Sequence, residues 1–374
     1  MDDKGAFWHH FAEVQDPRMD RTRRHKLVDI LFIAVAAVIA GADGFVEIEV
    51  YGERKHEWLK RFLELPNGIP SHDTFGRVFA AIDGQQLKEC FLQWIGTIAK
   101  TVGGEVIAVD GKTARRSFDR TNGTSAIHVV SAWASENRIV LGQVKVDGKS
   151  NEITAIPQLL SVLEIQNCII TIDAMGCQRA IAEVIRGKGA DYVLALKGNQ
   201  STLQEDVELF FEDAEEHDFR DTEYDYHKTV DTDHGRIETR EYWTASELEW
   251  LGQKKRWAGL QTIGMVRSHR TVDGETTVET RHFISSLGLN AEQFGRAVRR
   301  HWGIENSLHW VLDIAFREDE CRIRAGNAAE NFGMLRHIAL NLLKNDKLSK
   351  IGISAKRKKA GWDNDYLLEI LEGV

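Results

Sequence analysis

EVIAVDGKTARR, residues 105–116, decides how the rest of the chain is read. VIAV is a short, uninterrupted apolar run of the kind that fills the middle of a sheet covered on both faces. Asp110 and Gly111 end it, and Lys112, Arg115 and Arg116 follow at once. An aspartate before a glycine at a strand end is ordinarily a turn residue. Other acids in the chain give this one a different reading.

A second apolar run, IITI at 169–172, ends in the same way at Asp173, followed by Ala174, Met175 and Gly176. Both aspartates are expected at the carboxyl ends of strands in one sheet, where α/β folds place their chemistry. The third acid is Glu305. From residue 291, Phe294, Val298, His301, Glu305, Leu308, Leu312 and Ala315 alternate spacings of four and three, one continuous helix face. Glu305 and His301 interrupt that stripe. Three converging carboxylates raise one another's pKa unless cations neutralise them. Hard divalent ions held by oxygen ligands, Mg²⁺ or Mn²⁺, are the economical compensators, and a pair of them assists phosphodiester displacement. No His/Cys set points to zinc or iron.

Around these acids the chain changes period several times. Residues 1–100 read as helices, with Ser71 or Asp73 as an N-cap within LPNGIPSHDTFGRVF. From 105 the order is three strands (the last two a hairpin across Glu136–Asn137), helix, strand, helix, strand, an α/β order with a mixed sheet. STLQEDVELFFEDAEE continues as a helix. Residues 217–287 read as a mostly β insertion with a turn at Asp273–Gly274, and helical periodicity resumes at 288. Residues 346–374, which include AKRKKAG, read as a loosely held basic tail.

At 374 residues and 43% hydrophobic content the chain has material for two or three domains. Cys90, Cys168, Cys177 and Cys321 are scattered without metal-ligand spacing, the usage of a reduced cytoplasmic protein. Basic RTRRHK at 21–26 before LVDILFIAVAAVIAGA has the outline of a leader, but acids precede it, Asp29 interrupts it, and the run is too short for a membrane span. It reads as a buried helix. The net charge of −9 is local: residues 201–250 hold 17 acids against 4 bases, and the other 324 residues hold 44 bases against 40 acids. Overall acidity therefore does not exclude a DNA-binding face.

The collinear set VDGKT, TIDAMGCQ, YVLALKGNQ, HGRIETR and HWGIENSLHWVLDIAFRED resembles the DDE transposases of bacterial insertion sequences, within them the H-repeat-associated, ISAs-type group. The resemblance covers nearly the whole chain. It implies an α/β fold: an RNase H-like mixed-sheet catalytic core (101–216 and 288–345) with a mostly β insertion (217–287). A small all-α N-terminal transposase-associated domain (1–100) precedes it as a DNA-end binder. It also implies Asp110, Asp173 and Glu305 as catalytic and metal-holding acids with two Mg²⁺ or Mn²⁺ ions. The implied partners are double-stranded DNA, as inverted-repeat ends and target, and a second copy in a synaptic homodimer on the bacterial nucleoid. No membrane is involved. Where the wider superfamily carries Tyr-Arg-Glu-Lys, this chain has Val298, His301, Glu305 and Leu312, so the resemblance carries over the acids but leaves open whether DNA ends are processed through hairpins or another route.

Lys112, Arg115, Arg116, Lys197, Arg236, Arg240 and His301 are the candidate DNA contacts, as cations and an imidazole beside the acids or on a charged strand. Asn306, His309 and Asp313 surround Glu305 at helical spacing and are expected to orient it. Trp302 and Trp310 are expected in the core. Two other functions compete. A DNA-binding derivative that no longer transposes would not need the intact acid set. An Asp-nucleophile phosphatase needs a second aspartate where Lys112 stands.

Overall fold

A computed structural model of the chain describes residues 6–99, 103–118, 125–146, 151–233, 235–347 and 349–372. The apolar runs form the strands expected of them. β1 (Val106–Thr113), β2 (His128–Ala134) and β3 (Ile139–Val146) make an antiparallel meander. β4 (Ile169–Ile172) and β5 (Asp191–Ala195) then join β1 in parallel, and the helices α7 (Glu152–Val162) and α8 (Arg179–Gly187) provide the crossovers. The strand order β3-β2-β1-β4-β5 is that of the RNase H-like fold. Central strands covered on both faces account for runs with no polar alternation.

After α9 (Ser201–Glu216), the residues read as an insertion form four antiparallel strands: β6 (Tyr224–Asp233), β7 (Arg236–Ala245), β8 (Thr262–Val272) and β9 (Glu275–Ser285). They are mostly β, as expected, and they extend the same sheet. β9 pairs with β5, giving one nine-stranded sheet ending β5-β9-β8-β7-β6. Asp273 (φ 51°) and Gly274 (φ 85°) supply the two left-handed residues of a tight hairpin between β8 and β9.

The sheet has a core on each face. On one side, Val106, Ile169, Val193 and Phe283 pack under Phe294, Ala297 and Val298 of α10 (Ala291–Ile304). Contact is close: a Cβ on Gly264 would lie 2.5 Å from the Phe294 ring. A π turn, Glu305–His309, carries this helix on into α11 (Trp310–Phe316).

The other side is one larger core shared with the N-terminal helices α1 (Ala6–Phe11), α2 (Leu27–Ile39), α3 (Phe45–Arg54), α4 (His56–Leu59), α5 (His72–Ala81) and α6 (Gly84–Ile98). Ser71 caps α5 by accepting from Thr74 N. Twelve of the thirteen α2 residues are buried, so the leader-like run is a core helix. Among the described residues no helix is long and apolar enough to cross a membrane. The hub is α12 (Ala328–Asn345): Asn331 donates to the carbonyls of Phe79 and Ile82, and Asn341 both donates to and accepts from the Val140 backbone.

The expectation of a loose basic tail is corrected here. Residues 353–372 form α13 (Ile353–Trp362) and α14 (Asn364–Glu372), with Ala360, Leu367 and Leu371 in the core. Arg357, 4% exposed, lies over the Phe316 ring and donates to the carbonyls of Val38 and Ala42 and to Asp43. Its long stem is apolar and its fork matches several acceptors, so a basic segment docks where composition suggests solvent. Arg357→Met leaves Asp43 and two carbonyls without their donor and is expected to cost about 3–5 kcal/mol, read as a lowered melting temperature.

Candidate active site

The parallel register pairs Val106 with Ile169, Ala108 with Thr171 and Val109 with Ile172, which sets Asp110 beside Asp173 at the carboxyl ends of β1 and β4. The period of two turns Val106, Ala108 and Asp110 toward the α10 side of the sheet, and likewise Ile169, Thr171 and Asp173. α10 crosses that side and presents Glu305 at its end. The three acids line one cavity of about 580 Å³ together with Lys197, His301 and Trp302.

Each acid is held differently. Gly111 N donates to Asp110 Oδ1 at 2.9 Å. Asp173 caps the turn that follows it: its Oδ1 accepts from Met175 N (3.1 Å) and Gly176 N (3.3 Å). Here the cap and the candidate ligand are the same residue. Gly176 must be glycine, since a Cβ would lie 2.2 Å from Ile172 Cγ2. Glu305 starts the π turn, a distortion common at functional sites. His309 Nδ1, on the last residue of that turn, lies 3.1 Å from Glu305 Oε2 and 3.6 Å from Asp110 Oδ2. Ligand atoms of Asp110, Glu305 and His309 all fall within 4.8 Å of one another, and Asp173 stands outside that trio.

Burial, reinforced by the charges of Asp173, Glu152 and Glu305, pushes Asp110 up to about 7 against the opposing Gly111 hydrogen bond. Burial lowers His301 and His309 despite the neighbouring carboxylates. His301 is fixed by Thr171 Oγ1, 3.0 Å from its Nδ1. Clustered oxygen ligands and an aspartate this reluctant to ionise fit a hard divalent cation.

Gly111 is no turn residue. It lies within β1 opposite Val130, and a Cβ there would meet Glu152 Oε1 at 2.2 Å and His128 Nε2 at 2.5 Å. Glu152, paired with His128 at 2.6 Å, adds its charge to those of Asp173 and Glu305 on Asp110 and was not singled out in the sequence.

The candidate DNA contacts divide. Lys112 is not free: its Nζ binds Asp313 (2.7 Å), Glu318 (3.0 Å) and Asp319 (3.4 Å) and is 13% exposed. Arg240 is buried between Asp231 (2.6 Å) and Glu238. Neither presents a cation to solvent, and both expectations are corrected: Lys112 faces acids about 200 residues away, and Arg240 faces Asp231 across the β6–β7 hairpin and Glu238 two residues before it. His301 likewise points at Thr171 inside the cavity. Arg115 is 80% exposed with one contact to Asp319 at 3.3 Å, Arg116 is exposed, and Lys197 is exposed at the cavity edge. Arg236 is half-exposed beside Glu238, as the shared strand face predicts; its neighbour His234 lies outside the described residues. His309 does touch Glu305, whereas Asp313 binds Lys112 and Asn306 lines a neighbouring groove with Arg281. Trp302 and Trp310, expected in the core, are 45% and 59% exposed. Neither falls on the apolar stripe through Phe294, Val298, His301, Glu305, Leu308 and Leu312, and residue type alone does not reveal that.

Fold and site together define an RNase H-like protein with an acidic centre. The sequence matches the "Transposase DDE domain" family over residues 78–342 and the "DDE_Tnp_1-associated" family over 8–95. It is 42% identical over 369 residues to "H repeat-associated putative transposase YhhI" of Escherichia coli K12, covering 97% of both chains. To "Putative transposase YncI" of E. coli O157:H7 it is 44% identical, covering 97% of this chain and 93% of that one. The chain belongs to the DDE transposase family.

Asp110 gives a measurable pH dependence in metal-free protein. Its folded pKa is raised, so its contribution to stability is fully present at about pH 4 and lost as pH rises through about 7. In EDTA, Asp110→Asn is expected to be more stable than wild type at pH 8, by roughly 2–4 kcal/mol at most, and no more stable at pH 4. Melting curves at both pH values check this.

Proposed function

We propose that this chain is a working DNA transposase: it binds the terminal inverted repeats of its element, cleaves phosphodiesters with two divalent ions, and transfers 3′-hydroxyl ends to target DNA. The carrying observation is the convergence of Asp110, Asp173 and Glu305 on one cavity while Lys112, the cation nearest in sequence, is bound to other acids. Asp110, Asp173 and Glu305 would hold Mg²⁺ or Mn²⁺. When bound, such ions activate an attacking oxygen and stabilise a leaving one. The protein's part is to fix the carboxylates, with His309 against Glu305 and backbone amides on Asp110 and Asp173. Lys197, exposed at the cavity edge, and Arg115 and Arg116, exposed just beyond the end of β1, would take backbone phosphates. Synapsis of two ends in a homodimer, on the nucleoid, belongs to the same reading.

Asp110→Asn, Asp173→Asn and Glu305→Gln are each expected to abolish Mn²⁺-dependent cleavage of end-containing DNA while retaining DNA binding. Full cleavage by any one of them rejects the assignment. Arg115→Ala and Lys197→Ala are expected to weaken binding across sequences and reduce the salt slope by about 1 each. Arg240→Met is expected instead to lower thermal stability and leave that slope unchanged.

A further inference from the structure

β7 and β8 carry the period of two past the end of their apolar rows. Tyr242 and Val266, paired across the strands and buried, lie under α10, where a Cβ on Gly295 would come within 2.9 Å of the Tyr242 ring. The next two rows toward the hairpins, Arg240 with Ser268 and Glu238 with Arg270, line instead a groove of about 480 Å³. Its helical side is Arg299, Trp302 and Asn306. Glu279, Arg281, Val298 and Trp302 line both this groove and the acid cavity, so the two are continuous.

The groove is cationic although the chain carries a net charge of −9. Five arginines line it against two glutamates, Glu238 and Glu279. Arg240 neutralises Glu238, being fixed between it and Asp231. The other arginines are held less closely. Arg270 is exposed and makes no ion pair with any described residue. Arg299 meets Asp231 at 3.8 Å. Arg281 meets Glu279 at 3.8 Å, and its buried Nε has no hydrogen bond among the described residues. Guanidinium groups in surplus along one groove attract an anion from outside. Beneath them the lining is apolar, with Val266, Val298 and the half-exposed ring of Trp302. Cations over an apolar floor suit a polyanion whose units have flat apolar faces, which describes a single nucleic-acid strand. A cleft of this volume encloses a drug-sized molecule, so it admits unpaired nucleotides and excludes a duplex.

We propose that this groove takes the unpaired DNA strand beside the scissile phosphate, with its phosphates on Arg270, Arg281 and Arg299 and its bases toward the apolar floor. This role rests on the transposase reading and gives the four inserted strands a task in it: they extend the acid cavity into a track for one strand.

Two probes in EDTA test it by fluorescence anisotropy: a blunt duplex from an end of the element, and the same duplex with a short oligothymidylate tail. Wild type is expected to bind the tailed probe about tenfold more tightly, with a salt slope steeper by about 2, from roughly three single-strand phosphates. Arg270→Ala is expected to cut that preference to about threefold and to remove about 0.7 of the extra slope. Its melting temperature should not change, because Arg270 holds no acid. Arg270→Ala combined with Arg299→Ala should bind both probes equally. Equal affinity of wild type for the two probes overturns the proposal while leaving duplex binding intact. A double variant that keeps the tail preference but loses self-association in sedimentation overturns it too, and assigns the groove to an acidic face of a second copy. Binding of neither probe by wild type rejects the transposase reading and the groove's role with it.

Discussion

Lys112 follows Asp110 by two residues on the same strand, close enough to neutralise it, and three carboxylates from residues 313–319 hold it away. This diversion governs the site. With the ammonium bound elsewhere, Asp110 keeps its raised proton affinity, which burial causes first and the charges of Asp173, Glu152 and Glu305 reinforce. The same contact joins the end of β1 to the segment after α11, which fixes where the helix bearing Glu305 can lie. Glu318 is fully enclosed. Despite burial, which raises it, Arg336 and Lys112 keep its pKa below the usual range. One ion network thus serves both to withhold a cation from the acids and to seat the element that completes them.

The acids were legible because they contradict their surroundings. A charge ending VIAV or IITI, or breaking the stripe of α10, calls for compensation, and the β period and helix period place each side chain correctly. Pairing over long separations was not legible. Lys112 meets partners about 200 residues away, and Arg240 meets Asp231 across a hairpin; in sequence both look like free cations. Phase was the other loss. Residue type predicts core positions for Trp302 and Trp310, but both lie off the apolar stripe of α10 and α11, and both are exposed.

Composition misled in a related way. The acidic stretch 201–250 is not merely a solvated face: Glu215 of α9 makes a two-pronged contact with Arg267 on β8, and Glu208 faces His282 on β9. These pairs attach the helix to the strands that extend the sheet, so part of the charge excess organises the fold locally. The basic segment at 356–359 shows the converse, with Lys356 donating to the carbonyls of Leu343 and Asp346 inside the protein.

The surroundings of α2 have a consequence for how the chain is made. The helix is apolar on nearly every side, and its covering comes in part from α12 and α13, about three hundred residues later. At roughly 5–20 residues per second on the ribosome, that cover arrives some 15–60 s after α2 has emerged. During that interval the most hydrophobic segment of the protein has only part of its cover, from α3 and rings such as Trp8 and Phe62. Synthesis of this transposase therefore depends on whatever shelters residues 27–39 until its own carboxyl end appears.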